Sequence, residues 1–228
     1  MVNIMEKAVP LTRIQKLIGK RMHESKQTKP CFYIEARADV TELMAIRPKL
    51  RKYLGVKVTT NAFYIYTLAH AVIKFPMTVA TVEGDNYRIA GRVNVGFAVQ
   101  APQGLVVPVI KDADRKSLAE IAKEEKSLTE KARDNQLILE EIEGETIALS
   151  NLGAYDIDSF IGIVPPPATT ILAMGKIIPM LIPIDDKPTE RKMITINLAA
   201  DHTVIDGAYA AGFLKYIKEE LENPGNLI

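Results

Sequence analysis

One stretch, KMITINLAADHTVIDGAYAAGFLKYI, constrains the fold of this chain more than any other. TINLAA alternates and then becomes continuously apolar, the pattern of a strand. Asp206 is followed by Gly207 and Ala208 and then by small and apolar residues at helical spacing, so a helix is expected from about Asp206 to Glu222, stopped by Pro224. The Asp206 carboxylate is placed to accept from the free backbone N–H groups of the first turn. Strand and helix are joined by so few residues that His202 must sit where the chain reverses direction. Strand ends facing helix starts are where α/β proteins place their chemistry. On the local pattern alone, a histidine followed four positions later by an aspartate can equally be a solvated pair on one face of a turn.

The other elements read as follows. Thr12 is a plausible N-cap, and Ile14, Leu17, Ile18 and Met22 recur at helical spacing, which predicts a helix over residues 12–27. His23 lies on its polar side. Pro30 ends that helix, CFYIEARADV continues as a strand ending near Asp39, and Thr41 caps a second helix running to about Tyr53, in conflict with Pro48 unless the helix starts late. TTNAFYIYTLAHAVIKF reads as a buried helix with His70 in the core. GRVNVGFAVQ and GLVVPVIK, separated by APQG, suggest a hairpin. A charged helix follows from Ser117 to Asn135, with Leu118, Ile121, Ala122 and Leu128 as its inner stripe. ETIALSNLG, ATTILAMGKI and KMITINLAA are further strands. Helices and strands mix without strict alternation, so a single α/β (mixed α+β) domain is expected, a mixed sheet flanked by helices.

Composition narrows the function classes. With 47% hydrophobic residues in 228, the chain can bury a substantial core. A formal charge of +1 argues against nucleic acid or an anionic membrane as the main partner. The long apolar runs are interrupted by Gly, Lys and Pro, and no secretory leader is expected, so the chain is placed in the cytoplasm. A single cysteine, Cys31, excludes an intrachain disulfide framework and a cysteine-rich metal site, and no metal is expected. Cys31 itself reads as strand packing.

DHTVIDGA resembles the His-x-x-x-Asp-Gly signature of the catalytic domain of dihydrolipoamide acyltransferases, the core components of 2-oxoacid dehydrogenase complexes, and of the related chloramphenicol acetyltransferases. Three more blocks are similar to that family and stand in its order: VPLTRIQKLIGKRMHESKQTKPCFYIEARADVTEL, GFAVQAPQGLVVPVIKDADRKSL and SNLGAYDIDSFIGIVPPPATTILAMGKI. The resemblance implies a chloramphenicol acetyltransferase-like fold spanning residues 1–228. It also implies transfer of an acyl group between dihydrolipoamide and coenzyme A. His202 matches the general base, Ser150 the hydroxyl that stabilises the tetrahedral oxyanion, and Asp206 a structural aspartate that holds the histidine loop by hydrogen bonds and ion pairing. A thiol is mostly protonated at neutral pH, and an imidazole is the side chain whose ordinary pKa suits its deprotonation. Asp201 is a lesser candidate as a loop-fixing acceptor, and Asn151 a turn or sheet-end residue.

In this family the serine and histidine of one site come from neighbouring subunits of a homotrimer, and trimers can build a larger cubic or icosahedral core. The terminal Leu227 and Ile228 resemble the apolar knob that joins trimers. The implied partners are a lipoyl-bearing protein or domain and the 2-oxoacid dehydrogenase components. No lipoyl domain or peripheral-subunit-binding domain is recognised in the chain, and Asp186-Lys187 reads as a turn and not a lipoylation site. Some positions depart from the family pattern. Thr203 stands where Arg is common, EGETIALS lacks a usual glycine pair and phenylalanine, and AYDIDSF is more acidic than its counterpart. Two other readings remain: coenzyme A-dependent acylation of another small acceptor, and a non-catalytic scaffold of a multienzyme core.

Overall fold

The computed structural model describes residues 8–102 and 104–227. Its frame is a six-stranded mixed sheet made of β1 (Cys31–Asp39), β10 (Lys187–Asp201), β9 (Thr170–Ile184), β8 (Ile147–Asn151), β4 (Val95–Phe97) and β7 (Val109–Ile110), in that spatial order. The β1–β10, β10–β9 and β4–β7 pairings are antiparallel, whereas β9–β8 and β8–β4 are parallel. Strand side chains alternate between faces. Ile147 and Leu149 of β8, with Ile196, Leu198 and Ala200 of β10, therefore join the main core, while Ala148 and Ala199 join a smaller cluster with Val164 and Ile171 on the other face.

Four helices cover the main-core face: α2 (Thr41–Leu54), α3 (Thr60–Lys74), α4 (Leu118–Arg133) and α5 (Gly207–Glu222). Leu43, Phe63, Leu68, Ile121 and Phe213 are their fully buried anchors. On the opposite side α1 (Arg13–Thr28) is tied down by Arg21, which bonds Glu145 at 2.6 Å and the Pro166 carbonyl, and by Ser25, whose hydroxyl donates to Val164 O at 2.6 Å. The caps read from sequence are present. Thr12 and Ser117 form capping boxes with Gln15 and Glu120, and the Asp206 carboxylate accepts from Tyr209 N at 2.8 Å.

Other expectations are corrected. Thr41 does not cap α2 but is its first residue. The acceptor is Asp39, which takes both the Thr41 N–H (3.0 Å) and its hydroxyl (2.5 Å), because the last carboxylate of β1 reaches forward across the bend. Pro48 lies inside α2 and the helix continues through it. His70 is half-buried and not in the core, with Nδ1 2.9 Å from Tyr66 O. The expected hairpin exists but changes partners midway: β4 and β7 stay in the main sheet, while β5 (Val99–Ala101) and β6 (Gly104–Val106) form a separate ribbon.

Two features were not anticipated. One is a short exposed hairpin of β2 (Ala80–Glu83) and β3 (Asn86–Ile89). The other is the reach of β9 and β10, which run 15 residues each and turn at Asp185 and Asp186, both at positive φ. A bulge interrupts their register between Ile194 and Ile196. Beside it, Gly175 passes so close to the 153–158 segment that a Cβ there would lie 2.0 Å from Asp158 O, so only glycine fits.

Glu125 lies on the inner stripe of α4, 7% exposed, and accepts from the Thr59 hydroxyl at 3.2 Å. Burial pushes its carboxyl up, against opposing contributions from Thr59, Asn61 and Arg133. A raised native pKa favours the protonated folded form, so this contribution is fully present below the unfolded value of about 4.3 and is lost as pH rises through the native pKa. Glu125→Gln keeps an acceptor for Thr59 and removes the ionisation. It should raise the melting temperature at pH 7, with the gain vanishing near pH 4; a gain equal at both pH values, in thermal melts, would contradict the burial argument.

Candidate active site

β10 ends at Asp201, where the chain turns toward α5 through hydrogen bonds from Val204 N and Ile205 N to Asp201 O, both 3.1 Å. His202 is exposed on this turn. Its N–H donates to Pro30 O at 3.1 Å, and its ring rests on Phe32 with centroids 4.6 Å apart. Among the described residues neither imidazole nitrogen has a hydrogen-bond partner, so both ends of the ring are available to a ligand.

The turn is fixed from beneath. Asp201 is buried, and its Oδ1 accepts from Thr203 N (3.0 Å) and Thr203 Oγ1 (2.7 Å), while Oδ2 lies 3.7 Å from Lys29 Nζ. Tyr87 of the β2–β3 hairpin adds a bond from its hydroxyl to Thr203 O at 3.2 Å. Asp201 is thus the loop-fixing acceptor. Asp206 is exposed and starts α5, and it has no ion pair among the described residues. Thr203 supplies a hydroxyl directly to Asp201.

Ser150 is half-buried near the end of β8, on the same face as Ala148. The next residue, Asn151, is both sheet end and turn residue: it is the last of β8, and its side chain accepts from Gly153 N at 2.9 Å. Ser150 opens onto a cavity of about 270 Å³ whose walls include Met22, Ala98, Leu105, Phe160 and Ile171. One chain does not bring Ser150 to His202. Ser150 pairs with Ala173, and Ala173 with Asn197, so His202 lies two strands across and five residues further along, about 19 Å away at ordinary strand spacings.

A second cavity, of about 220 Å³, is lined by Arg47, Arg51 and Lys57 with Pro48 and Val58, beside the N-terminus of α3. Arg47 Nε is buried without an acceptor, and none of the three cations has a carboxylate partner among the described residues. Such a site suits an anion such as a phosphate. Its sequence signal, two arginines one helical turn apart and a lysine just beyond, is visible only in retrospect. A larger cavity, about 580 Å³, carries no such demand, because its Arg88 and Arg92 are already paired with Glu83 and Asp112.

Cys31 is half-buried opposite Asp201 in the β1–β10 ladder. Burial first, and then the charge of Asp201, push its thiol up, which suits packing and not nucleophilic attack. Among the described residues no group of three His, Cys, Asp or Glu could hold a metal ion, and no helix is long and apolar enough to cross a membrane.

Residues 4–228 match the family model of the 2-oxoacid dehydrogenases acyltransferase (catalytic domain). The dihydrolipoyllysine-residue acetyltransferase component of the pyruvate dehydrogenase complex of Rickettsia conorii is 36% identical over 220 residues, 95% of this chain and 53% of that protein. The succinyltransferase component of the 2-oxoglutarate dehydrogenase complex of Haemophilus influenzae is 34% identical, over 98% of this chain and 56% of that protein. The chain thus spans about half the length of the curated relatives it matches.

Among solved structures, the Azotobacter vinelandii dihydrolipoamide acetyltransferase superposes with a TM-score of 0.92 at 32% identity, covering 98% of this chain and 94% of that one. That structure concerns the role of a serine, a histidine and an asparagine in its catalytic mechanism. The cubic core of a pyruvate dehydrogenase multienzyme complex gives a TM-score of 0.92 at 31% identity, with coverages of 98% and 94%. A chloramphenicol acetyltransferase, 14% identical with a TM-score of 0.55 over 89% of this chain and 94% of that one, shares the fold. By the extent of the family match and the agreement in fold, the chain belongs to the 2-oxoacid dehydrogenase acyltransferase family, to its catalytic domain.

Proposed function

We propose that this chain transfers an acyl group between a dihydrolipoyl thiol and the thiol of coenzyme A, with His202 as general base and Ser150 as oxyanion donor. The observation that carries the reading is one of spacing. In the Azotobacter protein the named serine precedes the named histidine by the same number of positions as Ser150 precedes His202, and the asparagine follows by four, the place of Asp206 here. An amide oxygen and a carboxylate can both accept the helix-capping bond that Asp206 makes, so the exchange preserves the local structure.

The chemistry follows from the two groups. His202 takes the thiol proton as the sulfur attacks the thioester carbonyl, and the Ser150 hydroxyl donates to the oxygen as it gains charge. Collapse of the tetrahedral species breaks the original C–S bond, and the departing thiolate takes the proton back from His202. No net proton is consumed. The cation-lined cavity at Arg47, Arg51 and Lys57 is the candidate seat for the phosphates of coenzyme A. The lipoyl group would be brought by another domain or protein.

Because Ser150 and His202 are separated within the chain, the reading requires that they meet across a boundary between copies, as in a homotrimer. Trimers would then form a larger core that serves 2-oxoacid dehydrogenase components. In the terminal knob expected for that core, Ile228 lies outside the described residues, and Leu227 is placed only as the end of a short turn after α5.

Three outcomes check this. Ser150→Ala and His202→Ala should each lower turnover by about 10²–10³-fold with the fold intact. The two inactive variants, unfolded together and reassembled, should recover part of the activity, because some boundaries would pair an intact serine with an intact histidine. An active monomer, or no recovery in properly assembled mixtures, counts against the shared site. Arg47→Ala should raise the KM for coenzyme A by about 10–100-fold, the value of a hydrogen bond to a charged group, while leaving the KM for dihydrolipoamide unchanged. Steady-state kinetics with each thiol varied in turn would separate these effects.

A further inference from the structure

Ser150 pairs with Ala173, Ala173 with Asn197 and Asn197 with Glu35, so the four stand in one row across β8, β9, β10 and β1, on the same face of the sheet. Asn197 is the unexpected member. It is 6% exposed within TINLAA, and a buried amide is costly unless it is bonded. Its partner lies outside the sheet: Nδ2 donates to Ser159 Oγ at 3.0 Å, and Ser159 donates onward to Glu35 Oε2 at 2.9 Å.

Ser159 belongs to the irregular segment 157–165 between β8 and β9. It directly precedes Phe160, Ile161, Gly162 and Ile163, which form part of the wall of the cavity onto which Ser150 opens. Among the described residues, every hydrogen bond that ties 158–163 to the rest of the fold is made by Ser159. Its bond to Glu35 is exposed and competes with water, whereas the one from Asn197 starts from a buried group. Gly162 adds apolar contact, since a Cβ there would come within 2.9 Å of Ile171 Cδ1. An aliphatic side chain at 197 would serve the sheet as well; the amide serves the segment. We propose that Asn197 is a positioning residue for the transfer: through Ser159 it fixes the 158–163 wall beside the Ser150 hydroxyl and so keeps water from the thioester carbonyl. This step rests on the reading of Ser150 as oxyanion donor. With the wall released, water takes the place of the accepting thiol. Its oxygen bonds to the carbonyl carbon as the C–S bond breaks, and the products are a carboxylic acid and free coenzyme A.

The test uses the assembled full chain, dihydrolipoamide, and acetyl-, succinyl- and isobutyryl-coenzyme A, continued with whichever donor the wild type transfers fastest. Asn197→Leu places a side chain of similar size in the sheet and leaves no buried polar group unpaired, so its melting temperature should match or exceed that of the wild type. Its kcat should nonetheless fall about 10-fold, the worth of one well-placed hydrogen bond, with the KM for the acyl donor changed by less than about 2-fold. Hydrolysis relative to transfer should rise by about the same 10-fold. Ser159 is exposed, so its variants report even where a change within the sheet disturbs folding. Ser159→Ala should show the same two effects, Ser159→Thr should restore both by keeping the hydroxyl, and Ser159→Ala combined with Asn197→Leu should be no worse than either alone, because both act through one bond. A stable Asn197→Leu with wild-type kcat and partitioning, or effects that multiply in the double variant, overturns the role of Asn197 while the mechanism stands. Undiminished turnover in Ser150→Ala, or no transfer from any of the three donors, overturns the mechanism and this inference with it.

Discussion

The pairing of β10 between β1 and β9 is the constraint on which the site depends. Because β10 is hydrogen-bonded on both sides to its last residues, its end is held as firmly as a core element although His202 itself is exposed. Cys31 pairs with Asp201, and the Pro30 carbonyl then receives the next amide, that of His202. The ladder thus continues one residue past the strand and delivers the imidazole at a defined place. The same ladder fixes Ser150 two strands away. Any slip of two residues in the β9–β8 register would move that hydroxyl by about 7 Å along the sheet, and a slip of one would turn it to the helix-covered face.

The carboxylate of Asp201 shows how the turn is completed where the family commonly has an arginine after the histidine. Buried and anionic, it needs donors, and it receives two from Thr203 and the distant charge of Lys29. Thr203 therefore braces the turn from within, through its own backbone and hydroxyl, over a range too short for salt to screen. Asp206, by contrast, acts on the helix. Its contact with Tyr209 N starts α5, and the Tyr209 hydroxyl in turn accepts from Met77 N, linking the first turn of α5 to the short turn that follows α3. The two aspartates flanking His202 thus divide the work, one fixing the turn and the other the helix that follows it.

Much of this was legible in the sequence, and the gaps have physical causes. Helix starts with a side-chain acceptor at the N-cap, as at Thr12, Ser117 and Asp206, are local events and were read to within a residue. Where the capping group came from a preceding strand, as with Asp39, the wrong residue was named. The strands read from ATTILAMGKI and KMITINLAA stopped short of the prolines between them, yet Pro179, Pro183 and Pro188 sit in a two-stranded ribbon beyond β1, where outward-facing edges need no N–H. The β2–β3 hairpin has mostly exposed positions and so lacks an apolar alternation to betray it. The cation cluster at Arg47 could not be read along the chain because its meaning depends on what is absent around it: among the described residues no carboxylate pairs with it.

Ser150 and His202 carried the family resemblance separately, but no pattern along a chain says which copy a partner comes from. Their separation has a chemical consequence for the proposed reaction. A thioester passed between two thiols of similar basicity gains little free energy, so the competing reaction with water must be suppressed if the acyl group is to survive. A site assembled only where two copies meet does this by construction, since the base and the oxyanion donor face one another only with apolar walls closed around them. The exposed apolar side chains near Ser150, Leu105 at 49%, Ile161 at 56% and Ile163 at 38%, are surfaces that water would otherwise wet. Covering them removes water from the carbonyl, strengthens the hydrogen bond from Ser150, and leaves the accepting thiol as the nucleophile within reach of His202. In the proposed site, then, the interface that stabilises the assembly is also the wall that keeps the reaction a transfer and not a hydrolysis.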